Sequence, residues 1–155
     1  MAAETGAPFE AAAPATHPFR PLQAGQVIDG FSLDKHLHQG GMAQLWQVSA
    51  VDRSDGPGAE TPLIMKVPRI LGGEDPASIV GFEVEQMILP RLTGVHVPRF
   101  IAKGDFTTQP YIVMERIGGD SLRARLDAAP LPIHEVVDIG IKVATALHDL
   151  HRQHL

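Results

Sequence analysis

Glycine and proline decide what this chain can become. They recur from Gly6 to Gly140 and divide the sequence into short segments, each of which must be read for its own period. Residues 1–24 are mostly Ala, Pro and polar residues, with Pro14, Pro18 and Pro21 close together, and are expected to form a flexible leader. From Val27 the texture changes. Phe31, Leu33, Lys35 and Leu37 alternate with polar neighbours, which is a strand pattern. Gly40-Gly41 interrupts it. Leu45, Gln47, Ser49 and Val51 then alternate with Trp46, Val48 and Ala50 in a second strand. Ser54-Asp55-Gly56-Pro57-Gly58 is a loop, and Leu63-Ile64-Met65-Lys66-Val67 is a third short strand stopped by Pro68. Three short strands joined by turns predict an antiparallel meander.

A change of period follows Gly72-Gly73. Asp75 is a good N-cap and Pro76 suits a first helical position. Ile79, Phe82, Gln86 and Leu89 then fall at helical spacing over residues 77–89, and Pro90 should end or kink that helix. Phe100-Ile101-Ala102 and Tyr111-Ile112-Val113-Met114 are two further strands with a turn between them. Residues 121–126 read as a short helix. After Pro130 and Pro132, the stripe Ile133, Val136, Val137, Gly140, Ala144, Leu147 and His151 predicts a long amphipathic helix. Strands, one helix, strands and then helices make an α+β fold.

Composition narrows the function. The 155 residues fit one domain or a piece of a larger one. A formal net charge of −5 weighs against general nucleic-acid binding, and aromatics at 5% weigh against a base-stacking platform. The absence of cysteine removes disulfides, zinc–thiolate sites, iron–sulfur clusters and cysteine nucleophiles. No apolar run is long enough for a membrane span. The N-terminus carries Glu4, lacks Lys or Arg before Arg20, and does not read as a secretory signal. A cytoplasmic location is expected.

Three features carry chemistry. The turn at Gly40-Gly41 lies between two strands, and backbone amides approach phosphate oxygens closely only where side chains are absent. Taken alone, it is equally a plain hairpin turn. Lys66 is the one charge inside an apolar strand, so its ammonium must find a partner or reach water. Glu85 lies mid-helix, with Phe82, Leu89 and Leu92 at −3, +4 and +7. Glu83, the competing partner, lies about 200° away on the helical wheel. Glu85 is therefore the expected partner of Lys66.

In order, these features resemble the N-terminal lobe of a eukaryotic-like, bacterial-type serine/threonine protein kinase. The matching stretches are Leu37-His38-Gln39-Gly40-Gly41-Met42-Ala43-Gln44-Leu45-Trp46, then Leu63-Ile64-Met65-Lys66, then Phe82, Glu85, Leu89 and Leu92. They continue through Tyr111-Ile112-Val113-Met114-Glu115, Gly118-Gly119-Asp120-Ser121-Leu122 and Ala146-Leu147-His148-Asp149-Leu150-His151. The resemblance spans residues 30–155. It implies a five-stranded antiparallel sheet with one helix over residues 27–117. A linker and the first helices of an incomplete C-lobe would follow over residues 118–155.

The resemblance also implies roles. Gly40 and Gly41 would let the loop backbone cover the ATP phosphates, and Leu37, Met42 and Leu45 would be the other nucleotide-contacting residues of this stretch. Lys66 would hold the α- and β-phosphates, and Glu85 would fix Lys66. Ile64 would roof the adenine and Met114 would stand behind it as gatekeeper. The backbone of Glu115 and Ile117 would bond the adenine edge, and Asp120 or Ser121 would lie near the ribose. Departures are His38 for the first loop glycine, Ala43 for the third, Ile64 for alanine and Leu45 for valine.

The sequence contains no H-x-D-x-K-x-x-N, D-F-G or A-P-E. The catalytic aspartate and the magnesium ligands are therefore absent from these residues, Mg²⁺ is expected only in the complete domain, and the chain alone is expected to be inactive. Its last helix is expected to expose its apolar stripe and to self-associate or bind a partner. The protein substrate is not legible. Two other readings fit: a non-catalytic nucleotide- or partner-binding module, and part of a small-molecule phosphotransferase. His148, His151 and His154 drift round one helix and make a poor metal ligand set, so no metal site is expected.

Overall fold

A computed structural model describes residues 21–51, 61–69 and 76–153. The expected leader falls almost wholly outside the described residues, as do the 54–58 loop and the Asp75 cap. The strands are β1 (Val27–Ile28), β2 (Phe31–Gln39), β3 (Ala43–Ala50), β4 (Leu63–Pro68), β5 (Phe100–Lys103) and β6 (Ile112–Glu115). The helices are α1 (Pro76–Ile88) and α2 (Ile133–His151). One sheet runs in the order β1-β2-β3-β4-β6-β5, and every neighbouring pair is antiparallel.

The sheet has six strands where five were expected. The additional strand, β1, is only two residues long, and it exists because of the turn after it. Asp29 and Gly30 both take positive φ, 47° and 80°, between the paired residues Ile28 and Phe31. A two-residue turn with positive φ at both positions matches the twist of an antiparallel hairpin and folds β1 back onto β2.

Alternation sorts the strands into two faces. On β4, Leu63, Met65 and Val67 are buried while Ile64 and Lys66 are only half-buried. The buried face joins Leu33, Trp46, Val48, Met65, Tyr111 and Val113 in one cluster, with Leu22 and Phe31 packed against it. Cross-strand register places two rows on the opposite face. Gln47, Ile64 and Met114 form one, and Leu45, Lys66 and Ile112 the other. The candidate site lies on these rows.

β2 carries two register shifts, between Leu33 and Lys35 and between His36 and His38. Asp34 and Leu37 are thereby the extra residues of two bulges, which bend a strand and re-aim its side chains. Asp34 accepts a hydrogen bond from Ser49 Oγ at 3.0 Å.

The α-helix α1 ends at Ile88, and Pro90 sits inside a 3-10 turn over Leu89–Arg91. The expected short helix over residues 121–126 is instead a 3-10 segment, Leu122–Ala128, with no buried residue. α2 buries no residue either, and Ile133 is 79% exposed. Gln153, just beyond α2, accepts from Thr93 N at 2.9 Å and donates to Thr93 O at 2.8 Å. His96 Nε2 lies 3.4 Å from Asp149 Oδ2. These contacts attach the end of α2 to the loop after α1. Among the described residues no helix is long and apolar enough to cross a membrane.

Candidate functional site

Lys66 occupies the centre of the sheet, flanked across the strands by Leu45 and Ile112. The ammonium finds its partner on α1. Lys66 Nζ donates to Glu85 Oε1 at 2.7 Å and to Oε2 at 2.6 Å. The Phe82 ring, one turn earlier on α1, has its centroid 5.9 Å from Nζ. The two side chains of the ion pair remain 28% and 32% exposed, so a ligand arriving on this face can reach them. A pair this accessible contributes about 1 kcal/mol or less to stability. Its effect is to fix geometry: it ties strand β4 to helix α1. Glu83 is exposed and lines a separate groove with Met87, Lys103 and Phe106.

The rotation of α1 that presents Glu85 is set by its neighbour. Gln86 is 4% exposed, and its Nε2 donates to Gly104 O at 3.1 Å and to Tyr111 O at 3.0 Å. Gly104 is held so tightly that an added Cβ would lie 2.2 Å from Gln109 O and 2.3 Å from the Tyr111 ring. Only glycine fits there. Phe82 also meets Phe106 edge-to-face at 6.2 Å. α1 is thus fastened to the turn between β5 and β6 on one side and to Lys66 on the other. Sequence reading placed Gln86 on the buried stripe but gave it no role. The available signal was an amide on an otherwise apolar stripe, which requires buried partners.

The glycine turn joins β2 to β3. Gly40 N–H donates to Ala43 O at 2.9 Å, while Gly41 is exposed and Met42 is 68% exposed. The N–H groups of Gly41 and Met42 have no partner among the described residues. Leu45, next to Lys66 in register, is half-buried, as are Leu37, Ile64 and Met114. Ile64 and Met114 are paired directly across β4 and β6. This strip of accessible apolar side chains lies beside a lysine and a turn with free amides, which suits a flat apolar group bearing an anionic tail.

Beyond β6 the expected contacts divide. Glu115 N–H is engaged by Arg99 O at 2.9 Å, which leaves its carbonyl as the group to meet a ligand. The expectation for the Glu115 backbone narrows accordingly. Ile117 N–H has no partner among the described residues, and Ile117 is 65% exposed. Asp120 and Ser121 are exposed, and no described contact joins them to the Lys66 cluster. Arg116 Nη1 donates to Gln47 Oε1 at 2.9 Å and fastens this segment to β3. No three His, Asp or Glu side chains among the described residues are grouped to hold a metal, and His154 lies outside them.

Known proteins resemble this chain in sequence and in fold. No family model matches the sequence. The chain is 27% identical over 132 residues to the probable serine/threonine-protein kinase PknB of Lactococcus lactis subsp. lactis (strain IL1403), covering 84% of this chain and 20% of that protein. The crystal structure of the Mycobacterium tuberculosis PknI kinase domain superposes with a TM-score of 0.65 at 26% identity, over 86% of this chain and 52% of that one. The structure described as PpkA-294, apo form, shares the fold at a TM-score of 0.56 and 14% identity, over 71% of this chain. The chain therefore spans about a fifth of its curated relative and about half of the PknI kinase domain.

Proposed function

For a chain that carries the N-lobe of a bacterial-type serine/threonine protein kinase, we propose that its own task is to bind ATP. The single observation that carries this is the bidentate Lys66–Glu85 pair, open to ligand and bordered by the glycine turn and the Ile64–Met114 row. ATP supplies the γ-phosphoryl group that a complete kinase domain passes to a Ser or Thr hydroxyl of a protein. Lys66 donates to the α- and β-phosphates, and Glu85 keeps it there by holding the ammonium on one side. The free N–H groups of Gly41 and Met42 meet phosphate oxygens. Leu37, Leu45 and Ile64 enclose the adenine with Met114 behind it. The Glu115 carbonyl and the Ile117 N–H read its edge, and Ser121 lies toward the ribose.

Residues 27–117 form the nucleotide-binding lobe, and residues 118–155 form the linker and the first helices of a C-lobe. The 155 residues hold no catalytic aspartate loop and no D-F-G. They therefore bind nucleotide without transferring it, and Mg²⁺ enters with the complete domain. The setting is the cytoplasm, where ATP is available. Titration calorimetry with ATP tests the reading. The wild-type chain binds, and Lys66→Met weakens binding by about tenfold or more, the scale of a lost charge-assisted contact. Equal affinity in the two proteins removes Lys66 from the site.

A further inference from the structure

One residue that no motif singles out holds the glycine turn in place. Arg69 follows Pro68 at the end of β4. Its backbone N–H donates to Met42 O at 3.0 Å. Its guanidinium Nη1 donates to Gly40 O at 3.2 Å and reaches Gly41 O at 3.5 Å. Three successive carbonyls at the tip of the turn are thereby engaged by one arginine.

The turn has little else to define it. A Cβ added at Gly41 would meet nothing within 4 Å, and one at Gly40 would touch only Ala43 O, at 3.5 Å, and His38 Nε2, at 3.8 Å. Apart from the bond between Gly40 N–H and Ala43 O, no backbone hydrogen bond joins the tip residues to one another among the described residues. Carbonyl oxygens repel an anion, whereas amide N–H groups attract one. A turn that accepts phosphates must keep the first turned away and the second free. Here the carbonyls of Gly40, Gly41 and Met42 are drawn to Arg69, while the N–H groups of Gly41 and Met42 are unpartnered among the described residues. Arg69 Nε is itself buried without a partner among them. A buried donor left unmatched is unfavourable, so the guanidinium is not placed to satisfy itself.

We propose that Arg69 is the positioning residue of the glycine turn: it draws in the tip carbonyls so that the amides of Gly41 and Met42 face a polyphosphate. The inference rests on the nucleotide reading above. It also explains how the turn can serve with His38 and Ala43 at positions where kinases usually carry glycine. With less glycine the tip is less adaptable, and an external tether sets its shape.

The test uses the 155-residue chain as wild type, Arg69→Gln and Arg69→Lys. ATP and adenosine are each titrated by calorimetry, and exchange of the Gly41 and Met42 amides is followed without ligand. Arg69→Gln is expected to weaken ATP by about tenfold, the scale of one charge-assisted hydrogen bond. Adenosine affinity stays unchanged, and amide exchange at the tip accelerates. Arg69→Lys, which keeps a cationic donor, recovers most of the ATP affinity. If Arg69→Gln binds ATP as the wild type does, or loses ATP and adenosine equally, the inference is overturned while the nucleotide reading stands. If the wild-type chain binds neither ligand, both fall.

Discussion

Lys66 and Glu85 show how a pair can be read before it is seen. A lysine inside an apolar strand needs a partner, and only one of two nearby glutamates shares a helix face with Phe82. The structure joins the same two residues, 19 positions apart. Arg69 gave no such signal, because it ends a strand and its partners are backbone carbonyls 28 and 29 residues away. Side-chain periodicity carries no information about which carbonyls a turn will present. Tyr111 was read as a strand residue that opens the Tyr111-Ile112-Val113-Met114-Glu115 stretch, yet burial, then a hydrogen bond to Asp29 and the Asp29 charge, push its phenol up to about 12 from 10.0. The folded protein therefore holds this proton more tightly than the unfolded chain does. The associated stability is complete below about pH 10 and is lost as pH rises from about 10 to about 12. Denaturation at about pH 9 and about pH 11 is expected to show that fall in the wild type and a shallower one in Tyr111→Phe. Identical slopes would remove Tyr111 from the alkaline limb.

At the level of elements, periodicity located every long segment, and what it missed was short or tertiary in origin. β1 has two residues, fewer than any alternation can reveal, and depends on the backbone of Asp29 and Gly30. The bulges that displace Asp34 and Leu37 arise from pairing with β3, which no single strand encodes. The 3-10 segment Leu122–Ala128 buries nothing that would reward a full α-helix. Helix α1 is the element on which the site turns, and Gln86 is its fastening. Gln86→Leu leaves the Gly104 carbonyl without this donor and is expected to lower stability by about 1–3 kcal/mol, the scale of a buried polar group left unmatched. Glu83→Gln, on the exposed side of the same helix, is expected to stay within about 0.5 kcal/mol of wild type. Urea denaturation of the two variants checks this, and equal midpoints would mean that Gln86 does not fasten α1.

In the molecule as a whole, the sheet turns one face into the buried cluster and leaves the other to the candidate site. β4 serves both: Met65 belongs to the core, and Ile64 and Lys66 belong to the site. α1 meets the site face through Glu85, and Arg69 bonds the glycine turn. α2 hangs from the loop after α1 by Gln153 and Asp149 and turns Ile133, Val136, Val137 and Leu147 outward. The central claim is that the Lys66 face takes ATP. Two-dimensional amide NMR of the chain, titrated with ATP, tests it residue by residue. The account predicts shifts at Gly41, Met42, Lys66, Met114 and Ile117, with Gly94 and Val95 unmoved. Shifts confined to the groove lined by Glu83, Met87, Lys103 and Phe106, or no shifts at all, would contradict it.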